Sequence, residues 1–190
     1  MHFWYKFFTY LFYPFSFFYL FIRILNKKED PKRYKEKLSK TDVQRDEGFL
    51  IWFHVASVGE AMSILPLIEN FENEKNIKKI LITTITLSSA QILKKKYDYS
   101  KKIVHQFLPL DIPIFVNKFL NYWNPNLAIF IDSEIWPNLI FDIKKKNIPL
   151  LLVNARITKK TFLKWSLFKN FAKKIFEKFD LCIASSRETE

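Results

Sequence analysis

The sequence is poor in cysteine, glycine and histidine, with one, two and three residues of these types in 190. Because Cys182 is the only cysteine, an intramolecular disulfide framework and a cysteine-based metal cluster are both excluded. His54 and His105 lie within predicted strands without a zinc-binding spacing, so we expect core histidines rather than metal ligands. The cysteine usage fits a reducing compartment, and Cys182 is predicted to be a small buried core residue.

Acidic residues are also scarce, since 19 of them face 31 lysines and arginines, a formal net charge of +12. Such an excess attracts polyanions, whether nucleic acid, anionic lipid headgroups or phosphorylated substrates. A genome biased toward AT-rich codons would also favour lysine over glycine, so drift in composition remains an alternative source of part of the charge. The sequence has no recognised RNA- or DNA-reading motif, and its apolar strands offer no exposed aromatic platform, so we expect no nucleic-acid partner.

Charged residues are absent from Phe7 to Ile22, a stretch of 16 residues that is rich in aromatics. The stretch is slightly shorter than the roughly 20 residues that cross a bilayer core. It has no small-residue cleavage site and is followed by basic residues, so we predict that residues 1–25 are a retained membrane anchor helix. The positive-inside bias then leaves the rest of the chain in the cytoplasm. Pro14 and the aromatics suit an interfacial helix too, so spanning and lying flat both stay open.

After a basic linker at residues 26–48, the pattern predicts one α/β domain over residues 49–190. Short, nearly continuous apolar runs predict strands at Phe49–Val55, Lys79–Thr84, Ile103–Leu108, Leu127–Ile131, Pro149–Val153 and Leu181–Ala184. Helices are predicted between them at Glu60–Glu74, Ser88–Tyr97, Ile112–Trp123, Pro137–Lys146 and Lys160–Phe179. Strands of this kind are buried on both faces, and their alternation with helices predicts a Rossmann-like, doubly wound parallel sheet.

Along the last predicted helix, Phe162, Trp165, Phe168, Ile175 and Phe179 recur at helical spacing. We expect this aromatic stripe to pack against the sheet. The lysines around it are candidates for contact with an anionic membrane surface.

Polar residues collect where the predicted strands end, and ligands of open parallel sheets bind at that edge. Glu60 follows the first strand at a helix N-terminus, whose positive end favours an ionised carboxylate that acts as a base toward a sugar hydroxyl. Gly59 is expected to take backbone angles barred to other residues and so to project Glu60 into the cleft. In the competing interpretation, Glu60 is only a favourable charge at the start of a helix.

Two later strand ends supply further candidates. Asp132 and Glu134 would share one face if this segment were extended, and they would then contact sugar hydroxyls or accept amide hydrogen bonds from the following helix. Asn154 and Arg156 follow the fifth strand, and the forked donor of an arginine suits a phosphate or carboxylate. A structural ion pair is an equally acceptable role for Arg156.

Six features occur in a fixed order along the chain. They are the aromatic-rich start, IWFHVASVGE (Ile51–Glu60), TTITLSS, LPLDIP, IDSEIWPNL (Ile131–Leu139) and LLVNARIT. Together they resemble the N-terminal halves of the 3-deoxy-D-manno-octulosonic acid (Kdo) transferases. Two positions depart from that pattern, since Asp132 stands where glutamate is common and Ser88 where glycine is often found. These departures bear on fine geometry rather than on the reaction.

The resemblance implies the acceptor-binding half of a two-domain GT-B glycosyltransferase, with the C-terminal donor domain absent from this chain. It implies inverting, metal-independent transfer of Kdo from CMP-Kdo to the 6′-hydroxyl of lipid A precursor, at the cytoplasmic face of a bacterial inner membrane. By its place in the motif Glu60 is the general base, and no cofactor is needed. The expected acceptor contacts are Ser57, Gly59, Thr84, Thr86, Asp132, Glu134, Asn154 and Arg156.

The implied partners are lipid A precursor, an anionic membrane surface and, through the absent domain, CMP-Kdo. We therefore expect the isolated 190-residue chain to be inactive. The alternative is a membrane-tethered, non-catalytic protein that binds polyanions or nucleic acid.

Overall fold

The computed structural model describes residues 1–98, 100–132 and 134–185, so the last five residues of the predicted domain, 186–190, lie outside the described residues. The strands are β1 Phe49–His54, β2 Ile77–Thr84, β3 Ile103–Phe107, β4 Leu127–Ile131, β5 Leu150–Ala155 and β6 Leu181–Ala184. The helices are α1 His2–Leu11, α2 Tyr13–Leu25, α3 Val58–Ser63, α4 Leu65–Asn73, α5 Leu87–Tyr97, α6 Pro113–Trp123, α7 Pro137–Lys145, α8 Lys159–Ser166 and α9 Lys169–Phe176. A 3₁₀ helix covers Tyr34–Leu38.

The six strands form one parallel sheet in the order β3-β2-β1-β4-β5-β6. Alternate strand residues point to opposite faces, so Leu50 and Trp52 of β1 pack under α6, α7 and α9. Ile51, Phe53 and Val55 pack under α3, α4 and α5 on the other face. The predicted Rossmann-like, doubly wound sheet is confirmed, because helices cover both faces of a fully parallel sheet.

Two predicted helices are each divided in the structure. Residues 60–74 form α3 and α4, which meet next to Pro66, and proline inside a helix removes a backbone donor and crowds the preceding turn. Residues 160–179 form α8 and α9, separated at Leu167 and Phe168. This break turns a new face to the core, so Phe171 and Ile175 are the buried residues of α9.

Two packing predictions were wrong in detail. The stripe on α8 and α9 does not pack as a unit, because Phe162 and Phe168 remain more than half exposed. Cys182 is exposed rather than buried. It lies in β6, an edge strand that pairs with β5 alone among the described strands. The neighbouring side chains of Leu181 and Ile183 are also almost half exposed.

The two N-terminal helices lie on the α6–α7 side of the domain with one face packed and one face exposed. The His2 ring stacks on Phe141 at a centroid distance of 3.7 Å, and Leu20 is completely buried. The opposite face exposes large apolar side chains, among them Phe3, Trp4, Phe8, Phe15, Phe18 and Leu25. In the described ranges no single helix has the length and hydropathy of a membrane crossing, although α1 and α2 together, bent by 64°, do.

Residues 26–48 are held against the domain by charged side chains. Glu29 is buried between Arg23, whose Nε lies 2.6 Å from Oε1, and Lys37, whose Nζ lies 2.8 Å from the same oxygen. Arg33 pairs with Glu36 and donates through Nη2 to both Nδ1 and the carbonyl oxygen of His105. Burial and the adjacent Arg33 lower the pKa of His105 to about 3, so this ring is neutral and its Nε2 is left to donate.

A buried carboxylate fastens α1 to the start of α7. Asp111 accepts hydrogen bonds from the Tyr5 hydroxyl at 2.9 Å, from the Asn138 amide at 3.1 Å and from the Leu139 amide at 2.9 Å. The Asn138 side chain completes the contact by donating to the Thr9 hydroxyl and to the Asp111 carbonyl oxygen. Burial raises the pKa of Asp111 to about 6, although its donors favour the charged form.

Replacing this carboxylate is expected to loosen the N-terminal helix. Asp111→Ala leaves three donors unpaired in a buried site, at about 1–3 kcal/mol each when water cannot reach them, so we expect the free energy of unfolding to fall by roughly 3 kcal/mol. Tyr5→Phe removes one hydrogen bond and should cost about 1 kcal/mol. Urea denaturation measures both free energies. Trypsin cleavage after Lys27 should be faster in Tyr5→Phe than in wild type, and fastest in Asp111→Ala. An Asp111→Ala protein that unfolds at the wild-type urea concentration would contradict this role.

Candidate functional site

The loops that follow β1 and β4 lie next to each other at the carboxyl edge of the sheet. From β1 the chain continues outward to β2 and β3, and from β4 it continues in the other direction to β5 and β6. At such a reversal of strand order the two loops separate and leave a crevice, which is where open α/β sheets bind their ligands. The residues around this crevice are therefore the candidates for function.

A capping box holds Glu60 at the rim of the crevice. The Ser57 hydroxyl caps α3 by accepting from the Glu60 amide at 3.3 Å, and it donates to Glu60 Oε1 at 2.7 Å. The other carboxylate oxygen, Oε2, accepts from the Ala56 amide at 2.7 Å. The arrangement differs from a standard capping box in one contact, because the carboxylate accepts from the amide of Ala56, one residue before the N-cap, rather than from the amide of Ser57. These hydrogen bonds fix the position of the Glu60 carboxylate at the start of α3.

Gly59 has a different role from the one predicted. Its φ angle is not in the left-handed region, since Gly48 is the glycine with a positive φ in the described chain. Gly59 is the second residue of α3, and a Cβ atom added there would meet nothing within 4 Å. The prediction of special backbone angles is wrong. Gly59 is exposed and faces open space.

The threonine-rich loop after β2 contributes one of its two predicted contacts to the crevice. Thr86 is exposed, caps α5 and lies 3.4 Å from the carbonyl oxygen of Ala56, so it borders the Ser57–Glu60 cap. Thr84 is completely buried, and its hydroxyl is 2.9 Å from His105 Nε2. The structure therefore does not bring Thr84 to the crevice.

Glu134 enters the crevice from the loop after β4 and is held by two ring N–H groups. Its Oε2 accepts from Trp136 Nε1 at 2.9 Å and lies 3.3 Å from His54 Nε2. His54 is completely buried at the end of β1, and its Nδ1 is 3.0 Å from the hydroxyl of Thr83. Because a carboxylate only accepts, Nε2 carries the donated proton. His54 is thus more than a core residue, since it connects the β1 end to Glu134.

Two strand ends beside the crevice have left-handed backbones. Asp132 has φ +63°, so its backbone is not extended, and the condition under which Asp132 and Glu134 were expected to share one strand face is not met at Asp132. Asn154 has φ +57° and lies at an irregularity in the β5–β6 pairing. Both residue types tolerate this conformation better than most, and such positions cluster at functional sites. Asn154 and Arg156 are exposed at the same edge.

Sequence reasoning missed the structural residues that support the crevice. Asp111 and Asn138 belong to the LPLDIP and IDSEIWPNL segments, yet they fasten α1 to α7. The signal for such a role was present, because an acidic residue and an Asn next to a helix-starting proline are common partners at helix N-termini. No cluster of three or more His, Cys, Asp or Glu side chains suited to a metal ion occurs within the described residues.

Residues 32–190 match the family described as 3-deoxy-D-manno-octulosonic-acid transferase (kdotransferase). A 3-deoxy-D-manno-octulosonic acid transferase of Rickettsia bellii is 43% identical over 182 residues, 96% of this chain and 43% of the relative. The chain belongs to the Kdo transferase family. A probable mitochondrial Kdo transferase of Arabidopsis thaliana is 39% identical over 76% of this chain and 32% of the relative.

The chain spans less than half the length of these curated relatives. Among solved structures, UDP-GlcNAc 2-epimerase from Neisseria meningitidis bound to UDP-GlcNAc matches with a TM-score of 0.51. That match covers 74% of this chain and 42% of the epimerase at 10% identity, so it shows a common fold alone. The predicted family is confirmed. The segments IWFHVASVGE and IDSEIWPNL supply the two loops on either side of the crevice.

The Ser57 cap of α3 is expected to contribute to the free energy of unfolding of this Kdo transferase domain. Ser57→Ala removes the α3 cap, and loss of such a cap costs about 1 kcal/mol of unfolding free energy. Ser57→Thr keeps a hydroxyl in place and is expected to lose much less. Urea denaturation of the three proteins measures the difference. Equal midpoints for Ser57→Ala and wild type would show that the Ser57–Glu60 pair does not fix the start of α3.

Proposed function

We propose that this chain is the acceptor-binding half of a Kdo transferase, in which Glu60 is the general base that activates the acceptor hydroxyl. The observation that supports the proposal most strongly is the position of the Glu60 carboxylate. It lies at the reversal of strand order and is oriented by hydrogen bonds from Ala56 and Ser57. A base must be positioned before its strength matters, and the cap provides that position.

In the proposed reaction, the 6′-hydroxyl of lipid A precursor attacks the anomeric carbon of Kdo in CMP-Kdo. The new bond forms from the hydroxyl oxygen while the bond from the anomeric carbon to the phosphate oxygen breaks, and CMP leaves with that electron pair. Glu60 takes the hydroxyl proton. Each carboxylate oxygen has a lone pair beyond the one used in the cap, so Glu60 can accept this proton without leaving its place. Attack from the opposite side inverts the anomeric carbon, and no metal is required.

The acceptor sugar is proposed to lie between the loops after β1 and β4. Ser57 and Thr86 then border it on one side, while Asp132, Asn154 and Glu134 border it on the other. Glu134 is better suited to orienting the sugar than to abstracting a proton, because its Oε2 already accepts from Trp136 and His54. Arg156 is available to a phosphate of the acceptor, since its guanidinium is at the exposed edge.

The N-terminal helices are proposed to hold this site at the cytoplasmic face of a bacterial inner membrane. Their exposed aromatic face would bury in the interface, and the net charge of +12 would attract an anionic headgroup layer. The donor CMP-Kdo would bind a second domain of GT-B type, because this chain spans less than half the length of its relatives. The isolated chain is accordingly expected to bind acceptor without transferring Kdo.

Neutralising the proposed base tests the assignment. In a full-length enzyme that carries this N-terminal half, Glu60→Gln should lower kcat by about 10²–10⁴-fold, the usual contribution of a general base. The free energy of unfolding should fall by no more than about 1 kcal/mol, since the Gln oxygen can still accept from the Ala56 amide and its NH2 group can donate to the Ser57 hydroxyl. The matched control is Glu74→Gln at the exposed C-terminal end of α4.

Transfer of radiolabelled Kdo to lipid A precursor measures the rate, and thermal unfolding measures stability. Wild-type turnover in a folded Glu60→Gln enzyme would overturn the proposed base. Absence of transfer by the wild-type enzyme as well, together with tight binding to anionic vesicles, would favour the non-catalytic polyanion-binding alternative.

A further inference from the structure

A cavity of about 590 Å³ lies under α8 and α9, against one face of β5 and β6. This volume is within the range of about 300–1,000 Å³ that small-molecule sites occupy. Its walls are mainly apolar and come from both helices, from β5 and from the loop after β4: Ile135, Leu152, Phe162, Trp165, Ala172 and Phe176. The cavity begins at the carboxyl ends of the strands and extends to Cys182 within β6.

Cationic side chains surround this apolar interior. Arg156 lies at the strand end, and Lys169 and Lys173 lie one turn apart on α9. Asp132 is the one carboxylate that lines the cavity among the described residues. An apolar chain with an anionic group at one end would match this distribution, because its tail avoids water while its headgroup meets the cations.

The cavity adjoins the proposed acceptor site and the N-terminal helices. Asp132 and Arg156 border both the cavity and the crevice. β5 is two strands away from β1, which corresponds to about 10 Å at the usual strand spacing of about 4.8 Å. α9 lies on the same face of the sheet as α1, and the rings of Tyr5 and Phe171 are 6.4 Å apart. A lipid held near α1 would therefore reach both places at once.

We infer that this cavity binds one acyl chain of the anionic lipid acceptor, with Arg156, Lys169 and Lys173 against its phosphate. The inference rests on the proposed function for the identity of the lipid, and it names how the lipid part of that acceptor is held. Exposed side chains at the α8–α9 junction, such as Leu163 and Leu167, continue the apolar surface outward from the cavity. The acyl chain would enter along this surface while the sugar stays beside Glu60.

Cys182 provides a direct readout because it is the only cysteine and it lines the cavity. The probe is monomeric 1-myristoyl lysophosphatidate, added to the whole chain while iodoacetamide alkylates the thiol. At ten times its Kd, the lipid should slow alkylation of Cys182 by roughly tenfold, because mass action leaves about one site in ten free. Mass spectrometry of the intact chain follows the reaction.

Three comparisons make the result specific. Ala172→Trp fills the cavity and should abolish the protection, and Lys169→Gln with Lys173→Gln should weaken it without changing the interior. The control is the double variant Ser63→Cys with Cys182→Ser, which places the thiol at an exposed position on α3. This thiol should be alkylated at the same rate with and without lipid. Inorganic phosphate alone should give no protection, so protection by phosphate would identify an anion site and overturn the inference.

Equal alkylation rates with and without the lipid would also overturn it, as would undiminished protection in Ala172→Trp. Circular dichroism shows whether the Ala172→Trp chain has folded, and the lysine variants test the same site without filling it. These measurements involve neither CMP-Kdo nor transfer. Failure of the acyl site is therefore distinguishable from failure of Glu60 as the base.

Discussion

The reversal of strand order between β1 and β4 is the constraint on which the rest of the structure depends. It sends α3 to one face of the sheet and α7 to the other, so the loops before these helices part at the carboxyl edge. The Ser57–Glu60 cap uses this opening, because the interaction that begins α3 also holds the carboxylate in place. The proposed base thus shares its contacts with the helix start, so removing the hydroxyl of Ser57 should affect both the start of α3 and the position of the Glu60 carboxylate.

The fold was largely predictable because apolar runs identify strands that are buried on both faces. All six strands and their parallel, doubly wound arrangement follow from that pattern. The wrong predictions concern helix ends and side-chain burial, which depend on tertiary contacts. The break at Leu167 and Phe168 has no clear signal in the periodicity, and it moves the buried face of the last helical segment to Phe171 and Ile175. Burial of Cys182 depended on β6 having a second neighbour, which sequence alone does not show.

The candidate site was predictable in its position and less so in its contacts. Glu60, Asn154 and Arg156 each follow or end a strand, and the carboxyl ends of all strands in a parallel sheet lie at the same edge. The contact between His54 and Glu134 joins residues 80 positions apart, and the left-handed backbone of Asp132 removes the simple alternation expected of a strand. The ordered family segments divide into those that line the crevice and those, such as LPLDIP, that attach the N-terminal helices. The Asp111 contacts thereby hold α1 against the start of α7, on the same face of the sheet as α9.

The proposed mechanism requires the Glu60 carboxylate to contact the reacting hydroxyl of the acceptor. A crystal structure of the full-length enzyme with a lipid A disaccharide and an unreactive CMP-Kdo analogue tests it most directly. If Glu60 is the base, one of its carboxylate oxygens should lie about 2.6–3.2 Å from the 6′-hydroxyl oxygen, within hydrogen-bond reach. A disaccharide bound with that hydroxyl beyond the reach of Glu60, and next to another base, would contradict it.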